Sequence, residues 1–467
     1  MRFDEQFIKS TITDVSIIKN NFPEEAQFCI DSRVVKPGDI FIALSGVRCD
    51  GHEYISDAFL KGAAGCIIAQ DKKAILDNLD KKLLQDKLII AVPDTLKALI
   101  SFARAWRQLF SYPVVGITGT VGKTSTKECL ANILQTQGMR YIASNGNQNT
   151  LIGAALNLLR MREYHEAAII EMGVARRGEM AELASLVRPT TALITNIGHQ
   201  HMDGLGSLHD IALEKRDIFK YFSAESIGII NGDFPILANV SYPYPMIKFG
   251  SKMTNQIQAR KVRVSGSQIS FVLKLYNKKY SVIVKKPHVG DVMNSLAAAA
   301  AARLLNVPDA TIVKAIQTPV IVAGRFEECA IKGGKGIIIN DCYNANPESM
   351  KLSLLALQQI ETKAQKIAVI GDMLGLGATS PFWHRQIGRF LRKVPSVRKV
   401  ILVGSLVEWV KKAIPLGLVV DVELVPTWKE AADCLAPDLA HDPVVLVKGS
   451  RDLGLNNLVE RFTNQST

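Results

Sequence analysis

Short runs of β-branched and aliphatic residues recur from about Val114 onward, each closed by glycine or a polar turn: VVGIT, AAIIEMG, TALITNIG and SIGIINGD. Helical patterns alternate with them, and that alternation predicts βαβ units on a parallel sheet. From Gln256 to Lys286 the texture changes. KVRVSG, QISFVLKLY and KYSVIVKK alternate apolar with polar positions and turn at Gly or Asn-Lys, which predicts a small antiparallel insert. VMNSLAAAAAARLL then carries helix propensity throughout. The Pro- and Gly-punctuated QTPVIVAGRFE marks a domain boundary near residue 320. Beyond it, KIAVIGDM, KVILVGS and DPVVLVKGS predict three strands of a second, smaller α/β domain. The first 110 residues form a further unit. There IDSRVVKPGDIFIALSG predicts a strand, a turn at Pro37-Gly38-Asp39 and another strand, and a helical segment from Thr95 to Phe110 ends the unit. The expected fold class is α/β in three domains, 1–110, 111–318 and 319–467, without internal repeats.

The length of 467 residues fits three domains at about 150 residues each. Hydrophobic residues at 48% and charged residues at 21% are ordinary for a globular chain and exclude a disordered or fibrous one. The net charge of +12 suits phosphates or acidic ligands without choosing among them. Seven scattered cysteines without a CxxC pair argue against a disulfide framework or a zinc site, so a reducing compartment is expected. MRFDEQFIKS builds no apolar signal core. Ser295 to Leu305 falls far short of the roughly 18–20 apolar residues of a membrane span. A cytoplasmic protein without membrane insertion is expected.

The most informative stretch is Val114-Val-Gly-Ile-Thr-Gly-Thr-Val-Gly-Lys-Thr-Ser-Thr, a β-run, a glycine-containing turn and then a helical sequence. Backbone N–H groups of such a turn, Gly119, Thr120, Val121, Gly122, Lys123, Thr124 and Ser125, can cradle phosphate oxygens at the positive end of the helix. Lys123 would reach the β and γ phosphates, and the Thr124 hydroxyl would bind Mg²⁺. The strict GxxxxGK[ST] pattern is missed by one glycine, because Ile117 stands at its first position.

Glu171 ends the apolar run Ala167 to Ile170, at the mouth of a parallel strand where ligands of open α/β sheets gather. It suits Mg²⁺ and equally suits a structural cap. TNIGHQHMDGLGS places His199 and His201 just past another strand, and IALEKRDIF puts Lys215 on a helix. Singly, each reads as a surface or turn residue.

Together, TGTVGKT and the run NxGxxH, GS, AxxK from Asn196 to Lys215 resemble the Mur ligases, cytoplasmic enzymes that add amino acids to the peptidoglycan precursor. The resemblance covers essentially the whole chain. It implies an N-terminal α/β UDP-substrate domain, a central phosphate-loop ATPase domain and a C-terminal Rossmann-like domain that closes on ATP and binds the acceptor side. It also implies that His201 and a carbamylated Lys215 help hold a second Mg²⁺. A carbamate forms only on a neutral amine, so the site would have to lower the lysine pKa from about 10.4; a plain Lys215 in an ion pair is the other reading.

Within the family, Asp341-Cys-Tyr-Asn-Ala-Asn-Pro-Glu-Ser is similar to the DxYNANPxS signature of members that add D-alanyl-D-alanine to UDP-N-acetylmuramoyl-tripeptide. GDML at Gly371 and KGSR at Lys448 agree with them. The reaction implied is ATP-dependent amide formation through an acyl phosphate, by a monomer. Catalysis would rest on Lys123, Lys215 and His201, and Mg²⁺ on Thr124, Glu171, His201 and Lys215. Asn294 and Asp341 would meet the nucleoside and Arg325 phosphate, unless Arg325 and Asp341 form an interdomain ion pair. Ser32, Arg33 and Asp50-Gly51-His52 resemble the UDP-substrate side, while Asn149, Thr150, Tyr343, Asn344 and Asn346 would face the peptide substrates. Four positions depart from the family pattern: Gly290 and Asp291 replace His and Asn, Gly375 an acid, and Thr150 an Asn.

Other amide ligases of the superfamily, the tripeptide-forming ligase and folylpolyglutamate synthase, are argued against by YNANP. A phosphate-loop switch or transport ATPase would share GKT but not the flanking motifs. A nucleic-acid-binding protein would fit the charge and the pI near 9.2, yet basic runs interleaved with aromatics are lacking.

Overall fold

The computed structural model describes all residues except Met1, Arg48, Gly266, Ser267, Lys286, Pro287, Val289, Val419 and 464–467. Val289, which opens the VGDVMN segment, and the last residues of KVRVSG and KYSVIVKK therefore lie outside the described residues. The chain builds three α/β layers with mostly parallel strands, in agreement with the expected fold class. It divides into two compact units, residues 1–116, 139–174 and 179–190 in one, and 117–138, 175–178 and 191–467 in the other.

The first unit holds a five-stranded sheet in the spatial order Ser16–Asn20, Leu88–Val92, Gly65–Ala69, Asp39–Ile42, Gln27–Cys29, antiparallel only at its first pair. The turn at Pro37-Gly38-Asp39 forms, with Gly38 at φ +93°, a conformation that favours glycine. The strand expected in IDSRVV does not form. Asp31 Oδ1 accepts the Arg33 N–H at 3.0 Å and bends the chain into a turn, so the strand ends at Cys29. His52 is buried with both ring nitrogens engaged: Nδ1 donates to Asp50 Oδ1 at 2.6 Å and Nε2 accepts from Ala69 N–H at 2.9 Å. Asp50-Gly51-His52 is thus a corner of the fold. Burial pushes the Asp50 carboxyl up, but the His52 ring and backbone N–H outweigh it and hold the group down at about 2.

The helix Thr95–Gln108 follows the last strand of this sheet, its start capped by Asp94. Its buried face continues into Trp106 and Arg107, which lock it to the strands and helices of 139–190. Trp106 Nε1 donates to Met161 O at 3.1 Å, and the Arg107 guanidinium donates to Val187 O, Phe110 O and Arg188 O. Strands Tyr141–Ala143 and Ala167–Glu171 pair in parallel here.

In the second unit, Thr191–Ile194, Ile227–Asn231, Met246–Gly250 and Ile257–Ser265 pair in parallel in that order. Gln268–Leu275 and Lys278–Val284 then add antiparallel strands. The antiparallel segment is therefore an extension of the central sheet, because Phe249 and Gly250 pair with Ile257 and Gln258 before the chain doubles back. The helix Gly290–Leu304, almost wholly buried through its alanines, packs beneath these strands and against the helix Lys123–Gln137. The last sheet runs Glu327–Ala330, Ile337–Asn340, Val444–Lys448, Lys366–Gly371, Val397–Val403, Asp421–Val425, parallel except at its first pair. The strands of KIAVIGDM, KVILVGS and DPVVLVKGS all form in it.

Candidate functional site

The phosphate loop follows the fully buried strand Val114–Thr118 and opens the helix Lys123–Gln137. Gly119 at φ +146° and Gly122 at φ +85° adopt conformations that favour glycine. Space enforces the choice as well, since an added Cβ would lie 1.9 Å from Thr195 Oγ1 at Gly119 and 2.3 Å from Asn294 Oδ1 at Gly122. Because Gly122 occupies the cap, no side chain covers this helix start. A glycine-walled turn at a helix N-terminus fits a polyphosphate.

Groups outside the loop hold it, among them Thr195 and Asn196, to which the sequence alone gives no role. Asn196 clamps Val121 from both sides, its Oδ1 accepting Val121 N–H and its Nδ2 donating to Val121 O, each at 2.9 Å. Thr195 Oγ1 donates to Val121 O at 2.6 Å, and Thr120 Oγ1 accepts Gly198 N–H at 2.9 Å. Asn294 sits against Gly122 and accepts from Thr126 Oγ1 at 3.3 Å. Ser125 lines a cleft that also has Cys129, Asp291, Ser295, Pro319 and Val322 on its walls, which places the substituted Asp291 near the loop.

Lys123 and Lys215 converge on one carbonyl. Lys123 Nζ donates to Gly119 O at 2.9 Å and Lys215 Nζ to the same oxygen at 3.2 Å. Lys215 projects from the helix Leu208–Arg216, whose start is fixed by a reciprocal Ser207–Asp210 capping box. Burial, then the Lys123 charge, push the Lys215 amine well below the usual lysine range, with Glu214 opposing. Among the described residues no carboxylate lies within ion-pair distance of Lys215. Glu214 instead accepts Gly178 N–H at 2.8 Å.

His201 precedes the short helix Met202–Leu205 at φ +52°, and Gly375 at φ +73° lies against its backbone, with Gly375 O accepting Met202 N–H at 2.9 Å. A glycine where an acid was expected thus meets a local need of the chain. In the other unit, Glu171 ends its strand 1% exposed and accepts from Asn149 Nδ2 at 2.8 Å. Thr150 caps the helix Leu151–Leu159 through its hydroxyl, which accepts Gly153 N–H at 3.3 Å. Among the described residues, no three His, Cys, Asp or Glu side chains gather as a metal cluster. Of the residues expected to hold Mg²⁺, Thr124 and Glu171 offer the oxygen donors that this ion takes, and His201 offers a nitrogen.

In the C-terminal sheet, Arg325 Nη2 donates to Thr124 Oγ1 at 2.9 Å, and its guanidinium carbon lies 4.1 Å from the centre of the Tyr343 ring. Arg325 and Asp341 do not pair with each other. Asp341 is engaged on both oxygens: Oδ1 accepts Phe326 N–H, while Oδ2 meets Lys448 Nζ at 2.8 Å and accepts from Ser353 Oγ at 2.5 Å. Lys448 also donates to Asn344 O at 3.0 Å. Asn346 caps the helix Pro347–Gln359 in a box with Ser349. Asp341 and Asn346 thus shape the segment that presents Tyr343 and Asn344. Glu348, two residues on, reaches a second missed residue. His199 Nδ1 donates to Glu348 Oε1 at 2.7 Å, and the imidazole lies 4.1 Å from the Trp383 ring, centre to centre.

In the first unit, Ser32 is buried and its carbonyl accepts from Lys61 Nζ at 2.9 Å. Arg33 is exposed and held by Asp31 at 2.7 Å.

Three family descriptions match the chain: Mur ligase family, catalytic domain, over residues 27–107; Mur ligase middle domain over 117–302; and Mur ligase, glutamate ligase domain, over 324–451. The UDP-N-acetylmuramoyl-tripeptide–D-alanyl-D-alanine ligase of Bacillus subtilis is 31% identical over 92% of this chain and 91% of its own. The crystal structure of MurF from Acinetobacter baumannii superposes with a TM-score of 0.82 at 25% identity, covering 99% of this chain and 98% of that one. MurF ligase from Thermotoga maritima in complex with ADP gives 0.78 at 28% identity, over 94% and 97%.

Proposed function

The chain belongs to the Mur ligase family, and from that premise we propose that it joins D-alanyl-D-alanine to UDP-N-acetylmuramoyl-tripeptide at the expense of ATP, giving the pentapeptide precursor of peptidoglycan. One observation carries the reading in the site itself: two lysines, one of them driven toward neutrality, share the Gly119 carbonyl at a glycine-walled phosphate loop.

The tripeptide carboxylate and the ATP phosphates are both anionic, so their approach requires cancelled charge. The loop 119–125 binds the phosphates through backbone N–H groups, and Lys123 swings from Gly119 O to the transferring phosphate. Thr124, Glu171, His201 and a carbamylated Lys215 would hold Mg²⁺, which would supply further charge neutralisation. Burial beside Lys123 supports the carbamate, because a neutral amine can add carbon dioxide and give up one proton to solvent, and the anion so formed would turn the Lys123–Lys215 repulsion into attraction. Arg325, whose guanidinium donates to Thr124, would meet phosphate, and Asn294 and Asp341 the nucleoside. The tripeptide carboxylate attacks the γ-phosphate of ATP and ADP leaves; the dipeptide amine then attacks the carbonyl of the acyl phosphate, and phosphate leaves and a proton passes to solvent as the amide forms. Tyr343, Asn344 and Asn346 orient the acceptor, and Ser32, Arg33, Asn149 and Thr150 the UDP-linked peptide. We assign these tasks to domains 1–110, 111–318 and 319–467 of a cytoplasmic monomer.

The test is phosphate release from ATP with the two peptide substrates added singly and together, followed by product mass. Release that needs both, with a product heavier by the dipeptide less water, supports the reading; release indifferent to both overturns it.

A further inference from the structure

Residues 251–290 contain nine Lys and Arg and no Asp or Glu, so nine of the chain's twelve net positive charges lie in forty residues. Six of them, Arg260, Lys261, Arg263, Lys274, Lys278 and Lys279, are distributed over the three strands Ile257–Ser265, Gln268–Leu275 and Lys278–Val284 and do not form one run. Directly opposed residues of antiparallel strands share a face. One face of this meander buries Ile269, Phe271, Leu273, Leu275 and Val282, with the helices Gly290–Leu304 and Asp309–Ile316 packed on the strands. The register places three rows on the other face: Arg263, Ser270 and Ile283; Arg260, Val272 and Ser281; and Gln258, Lys274 and Lys279, of which Gln258 is buried. Arg263, Lys279, Ser281 and Ile283 are exposed, and Arg260, Val272 and Lys274 half-buried.

Two features of this face do not serve the fold. Lys274 and Lys279 stand directly opposite each other, and like charges so placed destabilise a sheet. Among the described residues, Arg260, Arg263, Lys274 and Lys279 have no carboxylate within ion-pair distance. Lysines that guard a sheet edge against strand pairing would account for Lys279 on the outermost strand, but not for Arg260, Arg263 and Lys274 on interior strands.

We propose that this face is a docking surface for an anionic lipid bilayer, on which the protein rests peripherally. A bilayer interface takes cationic heads and aliphatic side chains together, and Ile283 and Val272 stand among the cations. A single-stranded polynucleotide would instead ask for stacking rings. Both tyrosines of the segment are engaged elsewhere: Tyr276 lies under the Arg303 guanidinium, 5.1 Å from its ring centre, and the Tyr280 hydroxyl donates to Asp309 at 2.9 Å. No described helix is long and apolar enough to cross a membrane, so the attachment is to the surface.

The experiment is co-sedimentation of the full chain with phosphatidylglycerol-containing vesicles and with pure phosphatidylcholine vesicles, at low and high salt. Binding is expected only to the anionic vesicles and is lost in high salt, where screening shortens the reach of charge to about 3 Å. The K274E/K279E variant should lower vesicle binding by about tenfold or more, given the size of the attraction per surface cation, while ligation in solution is unchanged. R260Q/R263Q, which leaves the opposed lysines in place, should lower it several-fold. Equal binding to neutral vesicles, or full binding by both variants with ligation intact, overturns the proposal. So does displacement from vesicles by a short single-stranded RNA at equal phosphate, which would point to a polynucleotide.

Discussion

Lys215 and Lys448 are equally hidden from water, each 2% exposed, yet their surroundings make opposite demands. Lys448 meets the Asp341 carboxylate at 2.8 Å and the Asn344 carbonyl at 3.0 Å. Lys215 meets one carbonyl, at 3.2 Å, and shares it with another lysine. A buried cation with a matched anion is part of the framework. A buried cation set against a carbonyl and a like charge, with Glu214 opposing less than these, is held where it is easily made neutral, which is a chemical property. The contrast separates two lysines that the bare sequence presents alike.

Breaking the paired lysine should have the largest effect. Asp341→Ala strands Lys448 in the C-terminal sheet and should cost about 3–5 kcal/mol in urea unfolding. Adding Lys448→Met to that variant should recover much of the loss, because no uncompensated charge then remains. A loss below about 1 kcal/mol for Asp341→Ala would show that the pair is not structural, and the contrast would collapse.

Lys215→Met should change stability in the other direction, raising it by about 1–4 kcal/mol at neutral pH in buffer free of carbon dioxide. The sign follows from the lowered pKa. Between the folded value and the unfolded value of about 10.4, the unfolded chain binds more protons than the folded one, so wild-type stability rises with pH. The advantage of methionine is therefore largest below the folded pKa and fades as the pH approaches about 10.4. Ligation should fall by at least about 10²-fold, the scale on which a single charge-stabilising group acts. Destabilisation by methionine at neutral pH would mean that Lys215 is held as a structural cation after all.

The phosphate loop was legible because its chemistry is local: glycines, a lysine and a hydroxyl within seven residues, between a strand and a helix. The strands closed by glycine were legible for the same reason. Tyr141–Ala143 and Met246–Gly250 escaped, the first too short and the second without alternation to set it apart. IDSRVV misled because β-propensity lost to the Asp31 side chain, which captures the Arg33 N–H and turns the chain. YNANP resembles a substrate motif, yet Asn346 also caps a helix; a motif does not reveal which of its members serve the backbone. The basic face was invisible to a search for charge runs, since it exists only when three strands are laid side by side in register.

The smallest expected effect concerns a contact that no local pattern could announce, since Glu348 and His199 are 149 residues apart. His199 belongs to the segment whose Thr195, Asn196 and Gly198 grip the phosphate loop, and Glu348 to the helix that begins at the YNANP motif. The pair therefore links the loop 119–125 to the segment that carries Tyr343 and Asn344. Both side chains are partly exposed, 20% for His199 and 35% for Glu348, so Glu348→Ala should cost only about 1 kcal/mol of stability. Its kinetic effect should fall on KM for ATP and for the dipeptide, with kcat changed less, because the variant loosens placement and leaves Lys123 and Lys215 on their carbonyl. The Trp383 ring beside His199 supplies an independent readout: its emission should change alike in Glu348→Ala and His199→Ala, and the double variant should add little. Additive changes in KM, or an unchanged Trp383 signal in Glu348→Ala, would show that the two residues act separately and that the link carries no placement.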